Sequence, residues 1–205
     1  MNQKLLSMAG SFIAGGICSL LLTGCFVSKQ KQPEASQAFV GAYKEAYQKV
    51  VAPKWDEGSK EEKQALQRFT KFLEGVGNAE YIQKHVREVY SDDAFLDDTL
   101  VVKRGVQNIE QYFLKTAKNM TTYKTTIDDI ARSGDDYYVR WTMIFAAEGF
   151  SGGHPVHSVG ITHIRFNKEG KVAVHQDYWD AAKNFYAHLP VAGGVIGFIQ
   201  KKLNK

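Results

Sequence analysis

Residues able to transfer protons alternate along one predicted strand near the end of the chain. The segment Val172–Trp179 has the apolar, β-branched and aromatic composition of a β-strand. Residues two apart in a strand point to the same face, so His175, Asp177 and Trp179 together present a base, an acid and an aromatic wall. Such a pair performs acid–base catalysis when an apolar pocket moves one pKa toward the working pH. The same side chains also suit plain hydrogen bonding within a sheet, and the sequence leaves both interpretations open.

Other arrangements that could support chemistry are disfavoured by their spacing. Among His154, His157 and His163, the last two share a strand face but lie roughly 20 Å apart by strand rise, too far to share an ion. We therefore predict no metal site and no cofactor. The glycine-rich run at residues 149–153 joins two strands instead of opening a helix, so it is neither a phosphate cradle nor a strand-to-helix nucleophile elbow. We interpret it as a flexible loop near a pocket mouth.

The first residues have the pattern of a secretory signal. Lys4 supplies a positive charge, and an apolar stretch rich in small residues runs from residue 5 to residue 22. It ends in Leu-Thr-Gly-Cys at residues 22–25, which resembles the lipobox of bacterial lipoproteins. The resemblance implies cleavage before Cys25, acylation of that cysteine and attachment to a membrane. Phe26 stands where some lipoproteins carry an acidic residue, which implies the outer membrane of a Gram-negative cell, with the protein facing the periplasm.

Composition predicts one globular body behind this anchor. The chain has 205 residues, and both cysteines, Cys18 and Cys25, lie within the first 25, so no disulfide framework forms in the body. The formal net charge of +4 has no long run of one sign, and we predict no nucleic-acid partner. We expect residues 1–24 to be a signal peptide, residues 25–37 a polar lipidated tether, and residues 38–205 one domain.

Hydrophobic periodicity changes from helical to extended near residue 121. Upstream, apolar residues recur at three and four, and Ser59, Asn78 and Gly105 stand at the expected helix starts. Downstream, four strands are predicted at residues 123–130, 137–147, 157–167 and 172–179. Helices followed by long antiparallel strands indicate an α+β fold, with helices packed on one face of a curved sheet. A last helix is expected over residues 181–188, broken by Pro190.

Five local motifs follow one another in a recognisable order. They are residues 91–98 (SDDAFLDD), Arg104-Gly105 opening a helix through residue 113, residues 134–141 (GDDYYVRW), residues 163–166 (HIRF) and residues 170–180 (GKVAVHQDYWD). In this order they resemble the nuclear transport factor two-like superfamily, which includes SnoaL-like polyketide cyclases and ketosteroid isomerases. The resemblance covers about residues 66–186 and implies a cone-shaped fold in which a curved sheet wraps around helices and encloses an apolar pocket. Function must still be argued from the site.

The resemblance also implies candidate site residues. In SnoaL-like relatives the His-x-Asp strand faces the cavity and its acid removes a proton next to a carbonyl, roles that fall here on His175 and Asp177. Asp98 occupies the place of the general-base aspartate of ketosteroid isomerases. The oxyanion-hole acid of those enzymes falls on Thr162, and no tyrosine matches their other donor, so steroid isomerisation is not expected. The residues expected to line the pocket are Trp141, Met143, Phe145, Thr162 and Trp179.

Three functional expectations follow. The first is an outer-membrane lipoprotein that binds a small apolar ligand or supports an envelope complex. The second is an isomerase, cyclase or hydrolase that works by acid–base catalysis through Asp177, His175 and Asp98. The third is a homodimer through the outer face of the sheet, a surface that other superfamily members use. The apolar tail at residues 193–205 ends in lysines, and as a helix it would cover the open end of the cone, pair with a partner or lie on an anionic membrane.

Overall fold

The computed structural model describes residues 34–204, and from Tyr43 onward the chain forms one compact unit. The helices are α1 (Glu34–Lys49), α2 (Lys60–Gly75), α3 (Ala79–Val89), α4 (Val106–Asn119), α5 (Ala181–Asn184) and α6 (Pro190–Leu203). The strands are β1 (Tyr90–Asp97), β2 (Val102–Arg104), β3 (Met120–Ser133), β4 (Asp136–Ala147), β5 (Val156–Phe166) and β6 (Val172–Trp179). The predicted signal peptide and Cys25 lie outside the described residues. Helix α1 begins at Glu34, inside the segment expected to be tether.

One mixed sheet organises the body. Its six strands lie in the order β2-β1-β6-β5-β4-β3. The β1–β6 pair is parallel, whereas every other neighbouring pair in this sheet is antiparallel. Register shifts interrupt the β3–β4 pairing after Met120 and after Ile127, and such irregularities bend a strand and increase its twist. The expected α+β fold, with a curved sheet and an N-terminal helical region, is confirmed.

Two helix starts follow directly from local sequence. The Ser59 hydroxyl accepts the backbone N–H of Glu62, and the Asn78 side chain accepts that of Tyr81. Each cap satisfies one N–H group that the first turn leaves without a helical partner. The Glu62 carboxylate does not complete a standard capping box, because it accepts the N–H of Gly58 and also binds Arg132. This buried acid therefore fastens the start of α2 to strand β3.

The core lies between the sheet and helices α2, α3 and α4. Each helix contributes its apolar stripe, and the sheet contributes alternate residues of its concave face. The largest side chains that are fully buried there are Phe69, Phe72, Ile82, Val86, Tyr90, Leu96, Ile109, Val139, Ile164 and Phe166. Burying each of these aliphatic or aromatic groups contributes about 1.5–3 kcal/mol. Among residues 34–204, no helix has the length and apolarity needed to cross a membrane.

The second half of α1 is held against the opposite, outer face of the sheet by a polar cluster centred on Asp136. The Asp136 carboxylate accepts hydrogen bonds from Tyr47 at 2.8 Å and from Arg165 at 2.9 and 2.8 Å, and His163 Nε2 lies 2.9 Å away. Tyr43 in turn lies 3.3 Å from His163 Nδ1. Burial opposes ionisation of Asp136, but the hydrogen bonds from Arg165, His163 and Tyr47 outweigh it and lower its pKa.

The rest of the outer face exposes apolar side chains. Val159 is 68% exposed, and Ile161 and Tyr178 are adjacent partners on β5 and β6 that are also exposed. This is the surface on which the sequence predicts a homodimer. The dimer stays a prediction.

The C-terminal region differs from the predicted helix over residues 181–188. Helix α5 ends at Asn184, and a single 3₁₀ turn, Tyr186–His188, follows. Pro190 does not break a helix but begins α6. A proline suits that position because the first turn of a helix has no partner for the N–H that proline lacks.

Candidate functional site

A cavity of about 330 Å³ lies between the concave face of the sheet and helices α2 and α4. All eight residues that the sequence nominates for catalysis or ligand binding line this cavity. They are Asp98, Trp141, Met143, Phe145, Thr162, His175, Asp177 and Trp179. Alternation along β4 and β6 explains the result, since residues two apart on a strand face the same way. Much of the remaining wall is apolar, with Leu73, Val76 and Phe113 among its residues.

Asp177 anchors a hydrogen-bond network on the cavity wall. Its Oδ1 accepts the Thr162 hydroxyl at 2.5 Å and lies 2.9 Å from Nε2 of His175. The Thr162 oxygen in turn accepts the indole N–H of Trp141 at 2.9 Å. Within residues 34–204, Oδ1 makes both of these bonds and no protein donor reaches Oδ2. That second oxygen is therefore able to accept a proton or a hydrogen bond from a bound molecule.

The orientation of His175 is set from behind by Tyr90, at the start of β1. The Tyr90 hydroxyl lies 2.8 Å from Nδ1 of His175, and both side chains are buried. Burial raises the pKa of Tyr90 well above its usual value, so the phenol keeps its proton. A phenol O–H with this one acceptor donates to Nδ1, which places the imidazole proton on Nε2, facing Asp177. In this arrangement the Nε2–H group of His175 donates to Asp177.

The turn after β1 carries the second carboxylate, Asp98. Its Oδ1 accepts the backbone N–H groups of Leu100 at 2.9 Å and Val101 at 2.8 Å, and its Oδ2 accepts the Tyr112 hydroxyl. Thr99 adopts a φ of 77° in this turn, a left-handed conformation that is strained for a β-branched residue. Backbone strain of this kind costs of order 1 kcal/mol and persists where surrounding contacts hold it.

The two carboxylates differ in their electrostatic environments. Burial raises the pKa of the Asp98 carboxyl, and the charge of Asp177 raises it further, although hydrogen bonds from Tyr112 and two backbone N–H groups oppose the rise. Asp98 is therefore protonated at a higher pH than an ordinary aspartate and can act as a proton donor. Two carboxyl groups with different hydrogen-bond partners thus face one largely apolar cavity.

Tyr112 and Tyr90 are site residues that the sequence patterns miss. Helical spacing predicts Tyr112 only as a core-facing residue, and no pattern marks Tyr90. The available signal is chemical, because a tyrosine among apolar core positions brings a hydroxyl that needs a partner when buried. Thr125 provides a further polar group on the cavity wall, where its buried hydroxyl makes no well-formed hydrogen bond to any of residues 34–204.

Aromatic side chains surround one side of the cavity. Phe150 and Phe185, both on the cavity wall, stack with their ring centroids 5.4 Å apart, and Phe150 also stacks on Phe145 at 5.9 Å. Ser151 is 3.0 Å from Nδ1 of His188, which joins the glycine-rich loop to the turn after α5. The expected loop near the pocket thus contributes Phe150 to the wall.

The cavity wall carries several side chains that can donate or accept protons. In the part of the chain that the structure describes, no three His, Cys, Asp or Glu side chains cluster closely enough to hold a metal ion. The polar groups that line the cavity are two carboxylates, one imidazole, the side-chain amide of Asn119 and several hydroxyls.

Known structures share this fold. TsrD from Streptomyces laurentii aligns with a TM-score of 0.53 and 18% identity, over 67% of this chain and 98% of that one. A protein described as a SnoaL-like polyketide cyclase from Jannaschia sp. CCS1 aligns with a TM-score of 0.52 and 14% identity, over 63% and 94%. An LEH-like epoxide hydrolase from M. tuberculosis aligns with a TM-score of 0.50 and 16% identity, over 60% and 87%. At these identities the likeness establishes the fold alone.

Sequence comparison gives a family assignment. No curated protein matches the chain significantly. The family model of the SnoaL-like domain matches residues 69–175, which is more than half of the chain. This range begins in α2 and ends at His175, so it contains most of the cavity wall. The chain therefore belongs to the SnoaL-like domain family, with the nuclear transport factor two-like fold.

Proposed function

We propose that this protein binds a small, largely apolar molecule that carries an oxygen function. The main support for the proposal is the cavity, because its volume of about 330 Å³ falls in the range of small-molecule sites. Its aromatic and aliphatic wall suits the apolar body of a ligand. The Asp177 carboxylate, the Asp98 carboxyl and the hydroxyl of Thr125 suit a carbonyl, hydroxyl or epoxide oxygen.

Native mass spectrometry of the protein purified from its own host tests binding directly. We expect a retained small molecule in the wild-type spectrum and its loss in Met143→Trp, which fills the cavity with a larger side chain. Ile144→Trp is the matched control, because the neighbouring residue on β4 faces away from the cavity. An empty wild-type protein, or equal retention in both variants, would contradict the proposal.

A second candidate is acid–base catalysis on that ligand, and a specific observation favours it. Asp98, His175 and Asp177 converge on one cavity, Oδ2 of Asp177 has no hydrogen-bond partner among residues 34–204, and the pKa of Asp98 is raised. Asp177 would remove a proton from carbon or water, and Asp98 would deliver one to a developing oxyanion or leaving oxygen. Isomerisation, cyclisation and epoxide hydration all use this division of roles. Relatedness to cyclases and epoxide hydrolases is consistent with these reaction classes.

Deuterium exchange separates catalysis from binding without knowledge of the product. The retained ligand is incubated in D₂O with the protein, and deuterium incorporation is followed by NMR. Asp177→Asn keeps the shape of the side chain but removes the base, so exchange should fall by about 10²–10⁴-fold while binding is preserved. Exchange that is absent in the wild type, or unchanged in Asp177→Asn, would contradict proton removal from carbon by Asp177.

We also propose that the domain is held at the periplasmic face of the outer membrane through lipidated Cys25. Support comes from the lipobox-like residues 22–25 and the signal-like stretch before them. Acyl chains contribute about 0.8 kcal/mol for each buried methylene group. Mass spectrometry of the N-terminal peptide should find acylated Cys25, and Cys25→Ser should move the protein out of the outer-membrane fraction. An unmodified cysteine would refute the anchor.

A further inference from the structure

Helix α6 presents an unusual surface for the last helix of a globular domain. It is 14 residues long, or about 21 Å, and none of its residues is buried. Its first turns contact the Tyr186–His188 turn, where a side chain at Gly193 would meet the backbone oxygen of Ala187. The helix contributes no residue to the cavity wall described above.

The exposed side of α6 is a continuous apolar stripe. Its members recur at helical spacing and are all exposed: Val191, Val195, Phe198, Ile199 and Leu203. Val191 and Leu203, near the two ends of the helix, are 82% and 80% exposed. Large contiguous apolar surface on a soluble domain marks an interaction site. We therefore expect another molecule to bind to this apolar stripe.

Charge indicates what that molecule is. From residue 181 to the end of the chain the sequence contains Lys183, Lys201, Lys202 and Lys205 and no Asp or Glu. This segment alone thus carries a charge of +4, equal to the formal net charge of the whole chain. Lys202 lies with Nζ 5.7 Å from the centroid of Phe198, four residues earlier on the same face of the helix. Lysines beside an apolar helical face are typical of helices that lie in the interface of an anionic membrane.

We propose that α6 binds the surface of a bilayer that contains anionic lipid, with its apolar stripe inserted at the level of the headgroups and its lysines paired with phosphates. The contact is independent of Cys25 and of any ligand in the cavity. It gives the domain a second attachment, which would fix its orientation on the membrane in a way that a single acyl anchor does not.

Vesicle flotation of a chain that begins at Glu34 tests the proposal without the lipid anchor. This chain retains the complete compact unit from Tyr43, with the whole sheet and core. We expect flotation with phosphatidylcholine vesicles that contain roughly one third phosphatidylglycerol, and none with phosphatidylcholine alone. Lys201→Gln and Lys202→Gln should each weaken binding about fivefold, and higher salt should weaken it further. Phe198→Ser with Ile199→Ser should abolish it.

Val159→Ser with Ile161→Ser is the matched control, because it removes two exposed apolar residues from the outer sheet face and leaves α6 intact. It should float like the wild type. The proposal is overturned if the wild-type protein does not float. It is also overturned if flotation is the same with and without anionic lipid, or is unchanged by the Phe198 and Ile199 substitutions. A dimer mass that these α6 substitutions remove, without any vesicle binding, would assign the stripe to a second copy of the chain.

Discussion

His175 and Asp177 are separated by one residue on β6, and their side chains meet with Nε2 of His175 2.9 Å from Oδ1 of Asp177. Nδ1 of the same imidazole lies 2.8 Å from the Tyr90 hydroxyl, within hydrogen-bond distance. Each donor in this three-residue network has an acceptor when the Tyr90 phenol donates to Nδ1 of His175 and the Nε2–H group donates to the Asp177 carboxylate. The arrangement holds Asp177 in place and leaves its second oxygen to the cavity.

The first prediction concerns this proton arrangement. ¹⁵N NMR of His175 should show the tautomer whose proton is on Nε2. Tyr90→Phe leaves Nδ1 buried without a donor, which should lower the free energy of unfolding by about 1–3 kcal/mol and release the preference for one tautomer. Tyr123→Phe is the control, because its hydroxyl bonds to the Leu73 backbone oxygen and not to His175. A ring protonated at Nδ1 in the wild type would contradict the assigned network.

The second prediction concerns the titration of Asp98. Burial and the charge of Asp177 raise its pKa, whereas the Tyr112 hydrogen bond lowers it. Carboxyl ¹³C NMR should therefore show Asp98 titrating above an ordinary aspartate. Asp177→Asn should lower this pKa and Tyr112→Phe should raise it. Because the folded pKa is raised, the stability gained from the protonated form is lost as pH rises through it. Exposed Asp129→Asn should leave the titration unchanged; an unshifted Asp98 would remove the proposed proton donor.

The parts of this site that were predictable are those that depend on local repetition. Alternation along one strand is sufficient to place His175, Asp177 and Trp179 on one face. Tyr90 meets His175 only because β1 pairs in parallel with β6, a contact between residues 85 positions apart. The contact of Tyr112 with Asp98 likewise depends on how α4 sits against the turn after β1. Local sequence periodicity carries no information on such packing, so the contacts of these two tyrosines could not be predicted from the sequence.

The contacts of α1 with the outer face of the sheet were likewise not predictable from local sequence patterns. Helical spacing correctly predicts an amphipathic α1, but not that Tyr43 and Tyr47 pack outside the sheet. Their partner Asp136 lies 89 residues beyond Tyr47, in the first position of β4. The motif around residues 134–136 predicts a turn there and gives no sign that the aspartate joins a helix to the sheet.

A third prediction tests that junction by its pH dependence. Because the folded pKa of Asp136 is lowered, its contribution to stability is present above the ordinary aspartate pKa and is lost as pH falls through the lowered value. At neutral pH, Asp136→Asn should reduce the free energy of unfolding by about 2 kcal/mol, somewhat below the range for fully buried pairs. Urea unfolding should show this difference shrinking in acid. Asp135→Asn, in the adjacent turn, should change stability little; a pH-independent difference would contradict the ion-pair explanation.

The last prediction concerns Gly160, whose position on β5 lies beside the Trp141 ring. A Cβ at Gly160 would stand 2.4 Å from two carbons of that ring, so an alanine there must displace the indole from its place on the cavity wall. The displacement would break the Trp141 hydrogen bond to Thr162, the same hydroxyl that donates to Asp177. Gly160→Ala should therefore cost about 1–3 kcal/mol of stability, shift the tryptophan fluorescence and reduce ligand retention.

Gly194→Ala separates this effect from the general result of adding a methyl group. Gly194 lies within α6 and has nothing within 4 Å of an added Cβ, and alanine is favoured over glycine inside a helix by about 0.5–1 kcal/mol. That variant should be slightly stabilised, with unchanged fluorescence and ligand retention. If Gly160→Ala also kept both properties, the Trp141 ring would have to be mobile enough to move aside. The inference that Trp141 and Thr162 hold Asp177 in a fixed position on the cavity wall would then be wrong.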